Sequence, residues 1–199
     1  MEDYKQLIKN RKPDIRYLND MKEVVYDKEW IKNAPNSELY YMYRKVKEEN
    51  GLVNHITVVP PRMLGEEYVK TKGHYHTKKE YGEIYCVLEG KGLFLAQKEK
   101  NGIIEDVFYV KAKKGEYVVI PPGHGHIMIN DSLKDLITID WSSEKCKSDY
   151  SLIMKRGGAC YFYTKSGWIK NNNYKKVPEL RFEKPKKTMP ENLDFLYGK

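Results

Sequence analysis

Cysteine is scarce in this chain, with three residues in 199, at positions 86, 146 and 160. The number is odd, the spacing is scattered and no Cys-x-x-Cys occurs. That excludes a disulfide framework and a thiolate zinc site as organising features. Cys86 falls in the apolar run Ile84 to Leu88 and reads as a small core residue. Long hydrophobic runs are also lacking: none reaches the ~18 residues that a membrane-spanning helix needs. Met1-Glu2-Asp3-Tyr4-Lys5 has no apolar signal core. The expectation is a cytoplasmic protein with no membrane partner. Acidic residues are outnumbered, which leaves a net charge of +8. The lysines are dispersed in pairs such as Lys78-Lys79, Lys113-Lys114 and Lys175-Lys176 instead of gathering on one helix. This reads as a solvated surface, with no nucleic-acid partner expected.

What is present is β-type texture and many tyrosines, 17 in all. Residues 1–37 are polar, with Pro13, Pro35 and one weak helical patch from Met21 to Trp30, and read as an N-terminal arm. From residue 38 to about 165, short β-rich runs are separated by turn residues. They are Leu39–Val46, Val53–Val59, Gly82–Glu89, Leu93–Lys98, Asp106–Val110, Tyr117–Ile120, His126–Asn130, Leu136–Trp141, Tyr150–Lys155 and Ala159–Thr164. Glu89 to Gly92 and Lys100-Asn101-Gly102 read as hairpin turns. This punctuation predicts an all-β antiparallel sandwich or barrel. Residues 166–199 read as a C-terminal arm, rich in Lys, Asn and Pro toward its end, that either packs or remains mobile.

Four of the five histidines sit in two short stretches, His74-Tyr75-His76 and His124-Gly125-His126. A His-x-His pair on an extended strand puts both imidazoles on one face. A carboxylate and a third imidazole would complete an N3O set for one divalent metal, with positions left open for substrate or water. Glu83 is the better carboxylate, because it opens the apolar strand Ile84 to Leu88. Glu80 sits in the polar turn Thr77 to Glu80. The spacing leaves His124 and His126 as rivals for the third imidazole.

Gly115, Pro121, Gly123, His126 and Asn130 stand at every fixed position of the second cupin motif. The first motif is recognisable in His74, His76, Glu83 and Gly90. It lacks a glycine five residues before His74, and its gap from His76 to Glu83 is longer than in the general form. That gap, together with Thr71-Lys72-Gly73, Glu83-Ile84-Tyr85, Leu88-x-Gly90-x-Gly92 and Gln97, resembles the cupin-type glucose-6-phosphate isomerases of archaea and some bacteria. The likeness continues through Val118 to Pro122, His126 and Asp149-Tyr150.

The resemblance implies a cupin jelly-roll barrel, a double-stranded β-helix over residues 38–165 with arms at 1–37 and 166–199. It implies one divalent metal per chain on His74, His76, Glu83 and His126, with Fe2+ first and Mn2+, Ni2+, Zn2+ or Co2+ as alternatives. It further implies a phosphosugar substrate, a homodimer, and interconversion of glucose 6-phosphate and fructose 6-phosphate by an enediol route or a hydride shift. Glu83 is the expected proton carrier. The implied phosphate contacts are Thr57, Thr71, Gly73 and Tyr85. Tyr43 joins them from the Tyr40-Tyr41-Met42-Tyr43 stretch, and Tyr150 closes the sugar pocket. The family's histidine two residues before Tyr150 is Ser148 here, and His124 is the candidate to take its acid–base part. Two other readings compete: another cupin metalloenzyme (a different sugar-phosphate isomerase or an Fe-dependent dioxygenase), or a non-catalytic metal- or sugar-binding module. No helix-turn-helix accompanies the barrel motifs, which disfavours a DNA-reading sensor.

Overall fold

The computed structural model describes residues 3–199. Among the described residues, sixteen strands and three short α-helices follow in chain order. The strands are β1 (Asp14–Tyr17), β2 (Glu38–Glu49), β3 (Leu52–Val59), β4 (Met63–Leu64), β5 (Glu67–Tyr68), β6 (Tyr75–His76), β7 (Glu83–Glu89) and β8 (Lys91–Lys100). They continue as β9 (Ile103–Lys113), β10 (Tyr117–Ile120), β11 (Gly125–Ile129), β12 (Leu136–Ser143), β13 (Ser148–Asp149), β14 (Tyr161–Thr164), β15 (Gly167–Lys170) and β16 (Arg181–Glu183). The helices are α1 (Tyr4–Ile8), α2 (Lys28–Asn33) and α3 (Ser151–Lys155).

Two main sheets face each other, in the orders β1-β2-β3-β12-β7-β10 and β11-β8-β9-β16. Their pairings are antiparallel except for β16, which adds parallel to β9. The architecture is all-β, two facing antiparallel sheets that close as a jelly-roll barrel. Strand alternation builds the interior. Tyr85 and Val87 of β7 point inward to meet Phe94 and Ala96 of β8, Phe108 and Val110 of β9, and Met128 of β11. The intervening residues Ile84, Cys86 and Leu88 point outward and are buried as well. The arms explain this. On the outer face, Tyr4, Leu7 and Ile8 of the N-terminal segment pack on Cys86, Leu88, Ile137 and Ile139. Met189, Leu193 and Phe195 of the C-terminal segment pack on Leu52 and Ile84. Burial on both faces is why the run from Ile84 to Leu88 reads as continuously apolar.

Three local expectations are corrected. Glu89 to Gly92 is not a hairpin: β7 and β8 lie in different sheets, and the chain crosses between them there. Gly90 makes the crossing with φ +76°, where a Cβ would lie 2.2 Å from the Asp135 carbonyl oxygen. By contrast, Asn101-Gly102 does turn the β8–β9 hairpin, with φ of 55° and 87°. Second, Tyr150–Lys155 is not a strand. Ser151 to Lys155 form α3, where Asp149 Oδ1 accepts from the Ser151 amide at 2.9 Å and from its hydroxyl at 2.6 Å. Third, the helical patch from Met21 to Trp30 is displaced. A 3-10 turn ends at Met21, and α2 begins at Lys28, with Asp27 Oδ1 accepting from the Trp30 amide. The N-terminal arm also supplies β1, an edge of the barrel sheet. No helix among the described residues is long and apolar enough to cross a membrane.

Candidate active site and metal centre

One cavity of about 360 Å³ opens between the inner face of the six-stranded sheet and the segment around β6 and β13. That volume lies within the range of small-molecule sites, ~300–1,000 Å³. Its lining obeys the two-residue period. Tyr40, Met42 and Arg44 come from β2, Val53, His55 and Thr57 from β3, Glu83 and Tyr85 from β7, and Asp140 and Ser142 from β12. β2 carries an irregularity between Tyr43 and Lys47, where Lys45 adopts φ 50°. This bulge brings Arg44 and Lys45 to the rim together.

His74 and His126 are coupled by an antiparallel bridge: the His126 amide donates to the His74 carbonyl at 3.0 Å and the reverse bond is 3.3 Å. Gly73 permits this approach. It has φ +80°, and a Cβ there would lie 2.3 Å from Ile127 Cγ2. The Nε2 atoms of His76, His126 and His74 then lie 2.9, 3.1 and 3.9 Å from Oε2 of Glu83. The donor atoms of His74, His76 and Glu83 all fall within 4.8 Å of one another.

The donor set fits a divalent metal. His76 Nδ1 lies 3.0 Å from the Tyr81 carbonyl, which can only accept, so Nδ1 carries a proton. The Nε2 lone pair therefore faces a carboxylate oxygen, an arrangement that requires a positive charge between or on them. A proton meets that need in the bare chain and a metal ion in the loaded one.

The ionisation of the cluster follows from the same contacts. Burial pushes the Glu83 carboxyl up, but the charge and hydrogen bonds of His126 and His76 outweigh it and hold Glu83 well below the usual carboxylate range. Burial would lower His76, whereas hydrogen bonds to Cys146 and Glu83 lift it to about 10. His74 is held well below its ordinary value by burial and the neighbouring His126. Burial, then the charge of Glu83, raises Tyr85 well above its usual value, so its hydroxyl stays protonated. That hydroxyl lies 2.9 Å from His126 Nε2.

Of the residues singled out in the sequence, His74, His76, Glu83, His126, Thr57, Thr71, Gly73, Tyr85 and Tyr150 all line the cavity. Two candidates lie elsewhere. Tyr43 points to the opposite face of β2 and packs with Val46, Ile56 and Ile139. Alternation puts Tyr40 in the cavity instead, with its hydroxyl accepting from the Lys72 amide at 3.1 Å. His124 stands in the turn before β11, outside the barrel mouth. Its Nε2 is 3.2 Å from Asp106 Oδ2, and its Nδ1 is 3.1 Å from the Pro122 carbonyl. Tyr150 stacks obliquely near His74, at 5.7 Å between ring centroids, with the Arg16 guanidinium 5.6 Å from its own ring. Sequence reasoning missed His55 and Asp140, whose side chains meet at 3.0 Å in the cavity wall. The signal was available, since the alternation that brings Thr57 inward brings His55 with it.

A family model described as glucose-6-phosphate isomerase matches residues 15–179. The glucose-6-phosphate isomerase of Thermococcus litoralis is 33% identical over 156 residues, which is 76% of this chain and 80% of that protein. The one from Pyrococcus abyssi is 29% identical over 169 residues, 82% of this chain and 87% of that protein. Among solved structures, a protein from Thermotoga maritima described as a predicted oxalate decarboxylase is 20% identical, with a TM-score of 0.43. The match covers 67% of this chain and 92% of that one.

Proposed function

The chain belongs to the glucose-6-phosphate isomerase family, and from that premise we propose that it is a metal-dependent aldose–ketose isomerase interconverting glucose 6-phosphate and fructose 6-phosphate. The observation that carries this reading is the convergence of His74, His76 and His126 on Glu83 at the wall of a cavity large enough for a sugar phosphate. These four residues would hold the metal. Fe2+ comes first, and Mn2+, Ni2+, Zn2+ and Co2+ also suit an N3O donor set. When bound, the metal supplies Lewis-acid stabilisation of the negative charge that develops on O1 and O2 of the sugar.

Glu83 carries the proton between C2 of the aldose and C1 of the ketose. Removing the C2 proton leaves its electron pair to form the C1–C2 double bond, while the carbonyl π pair moves onto O1, which takes up a proton to give the enediol. The O2 hydroxyl then gives up its proton, its electron pair forms the C2 carbonyl, and the C1–C2 pair takes the Glu83 proton at C1. The Tyr85 hydroxyl, kept protonated by burial, donates beside the reacting oxygens. Thr57 and Thr71 offer hydroxyls to the phosphate. The Thr71 oxygen already accepts the Met128 amide at 3.0 Å, and its own proton remains for donation. Arg44, Lys45 and Lys147 are among the lining residues, with Glu144 also in the lining, and offer cations to a phosphate dianion. Tyr150 covers the sugar. In the cell we place the protein in the cytoplasm as a homodimer, with a second copy covering edge strand β1.

The test is a coupled assay for glucose 6-phosphate formation from fructose 6-phosphate, on protein stripped by chelator and reloaded with one divalent metal at a time. Turnover that disappears with chelation and returns with metal supports the reading. A chain that binds one metal ion and turns over neither sugar phosphate sinks it.

A further inference from the structure

The chain has five histidines. Three converge on Glu83 and His124 lies outside the mouth, so His55 is the remaining imidazole that faces the cavity. It stands on β3, two residues from Thr57 and on the same inner face. Asp140 of β12 lies across from it, between the register partners Ile56 with Ile139 and Val53 with Ser142. Asp140 Oδ1 accepts twice from this one residue, from the His55 backbone amide at 3.2 Å and from ring Nδ1 at 3.0 Å. The Asp140 backbone is itself pinned, its carbonyl accepting from Asn54 Nδ2 at 2.6 Å. The carboxylate side chain is 8% exposed and the imidazole 17%. A carboxylate at Nδ1 fixes the tautomer and leaves Nε2 as the nitrogen that can exchange a proton with a ligand in the cavity.

We propose that His55, oriented by Asp140, is a further acid–base residue of this site and opens the sugar ring before isomerisation. The inference rests on the isomerase reading above. A cyclic sugar phosphate must become an open chain before Glu83 can act at C1 and C2. Nε2 takes the proton of the anomeric hydroxyl, and that oxygen's electron pair forms the carbonyl as the bond from the anomeric carbon to the ring oxygen breaks. The imidazolium then returns the same proton to the ring oxygen. One proton moves between two oxygens of the sugar, and nothing is oxidised or reduced. Glu83 is already engaged by three imidazoles, whose Nε2 atoms lie 2.9, 3.1 and 3.9 Å from its Oε2. The charged groups acting on His55 are Asp140 from β12, Arg44 from β2 and Glu83 from β7. Burial lowers the imidazole, and the hydrogen bond and charge of Asp140 more than offset that.

The experiment compares wild-type holoenzyme with His55→Gln and His55→Ala. Two rates are read: isomerase turnover, and exchange between the α and β anomers of glucose 6-phosphate followed by NMR saturation transfer. Gln at position 55 can still donate to Asp140, which preserves the fold while removing the titrating nitrogen. The expected result for His55→Gln is a fall of about 10²-fold in kcat with KM within twofold, and a matching loss of catalysed anomer exchange. Added imidazole should restore part of both rates to His55→Ala. Wild-type anomer exchange in His55→Gln, or lost isomerisation with exchange intact, would overturn the proposal. A holoenzyme that exchanges anomers without making fructose 6-phosphate, with exchange lost in His55→Gln, would overturn the isomerase reading and support the assignment of His55. A holoenzyme that does neither overturns both.

Discussion

Nε2 of His76 stands 2.9 Å from Oε2 of Glu83, while Nδ1 of the same ring donates to the carbonyl of Tyr81. The ring is thereby held with its lone pair toward a carboxylate. In the bare chain the site holds a proton where the loaded chain would hold a cation.

The first consequence is a pH dependence in both metal uptake and stability. Metal binding must displace the His76 proton, so affinity falls as pH falls and binding near neutrality releases a proton. Calorimetry in two buffers of different ionisation enthalpy measures that proton. The His76 pKa is raised in the folded state to about 10 from an ordinary value near 6.5. Its contribution to metal-free stability is therefore fully present below about 6.5 and is lost as pH rises toward 10, by an amount on the order of a few kcal/mol. Urea unfolding of stripped protein at a series of pH values reads this directly. A flat profile across that window would show that the pair carries no proton.

Substitutions in the cluster should separate its roles from those of its neighbours. His74→Ala, His76→Ala and His126→Ala should each lose metal and activity together. Glu83→Gln should lower kcat by about 10²–10⁴-fold with a smaller effect on KM. His124→Ala, outside the cavity, should leave metal content and kcat within about twofold of wild type. Metal analysis and steady-state kinetics on the same preparations decide the matter, and near-normal turnover in metal-loaded Glu83→Gln removes that residue as the proton carrier.

Thr71→Val should act on affinity. Losing a hydroxyl from an anion site costs ~1–2 kcal/mol, which corresponds to a rise in KM of roughly 5- to 30-fold with kcat nearly unchanged. The same change frees the Met128 amide from its partner and should lower unfolding free energy by about 1 kcal/mol. Equal KM values for mutant and wild type would move the phosphate away from Thr71.

A last prediction concerns stability away from the site. Lys70 is 1% exposed, paired with Glu67 and 4.6 Å above the Phe162 ring. The Tyr26 amide donates to the other Glu67 oxygen at 2.8 Å. Lys70→Met leaves a buried carboxylate without its countercharge and should cost ~3–5 kcal/mol. Replacing both by Met and Gln should recover much of that loss. Denaturant titration of the single and double variants tests the coupling.

Much of the fold was legible because it depends on local pattern. The run from Tyr117 to Ile120 is a strand at those same bounds, and Asn101-Gly102 turns its hairpin, because alternation and φ > 0 are properties of a few adjacent residues. Glu89 to Gly92 misled, since a glycine pair signals a sharp change of direction without saying which sheet the chain enters next. Ser151 to Lys155 misled because Leu152, Ile153 and Met154 are apolar enough for a strand. The preference for helix there comes from the turn held by Asp149, whose Oδ1 accepts from the Ser151 amide and hydroxyl, and from burying Ile153 alone.

By itself the sequence determined the barrel class, the His74-x-His76 pair with Glu83, and the two candidates His124 and His126, because each is written in spacing along one strand or one motif; the family likeness singled out His126. Tertiary structure alone decided which face Tyr43 and Tyr40 present, that His124 meets Asp106 outside the mouth, and that His55 meets Asp140 across 85 positions of chain. Those outcomes depend on register between strands distant in sequence. A single residue of slip reverses every side chain on a strand, and burial on both faces is what holds the register.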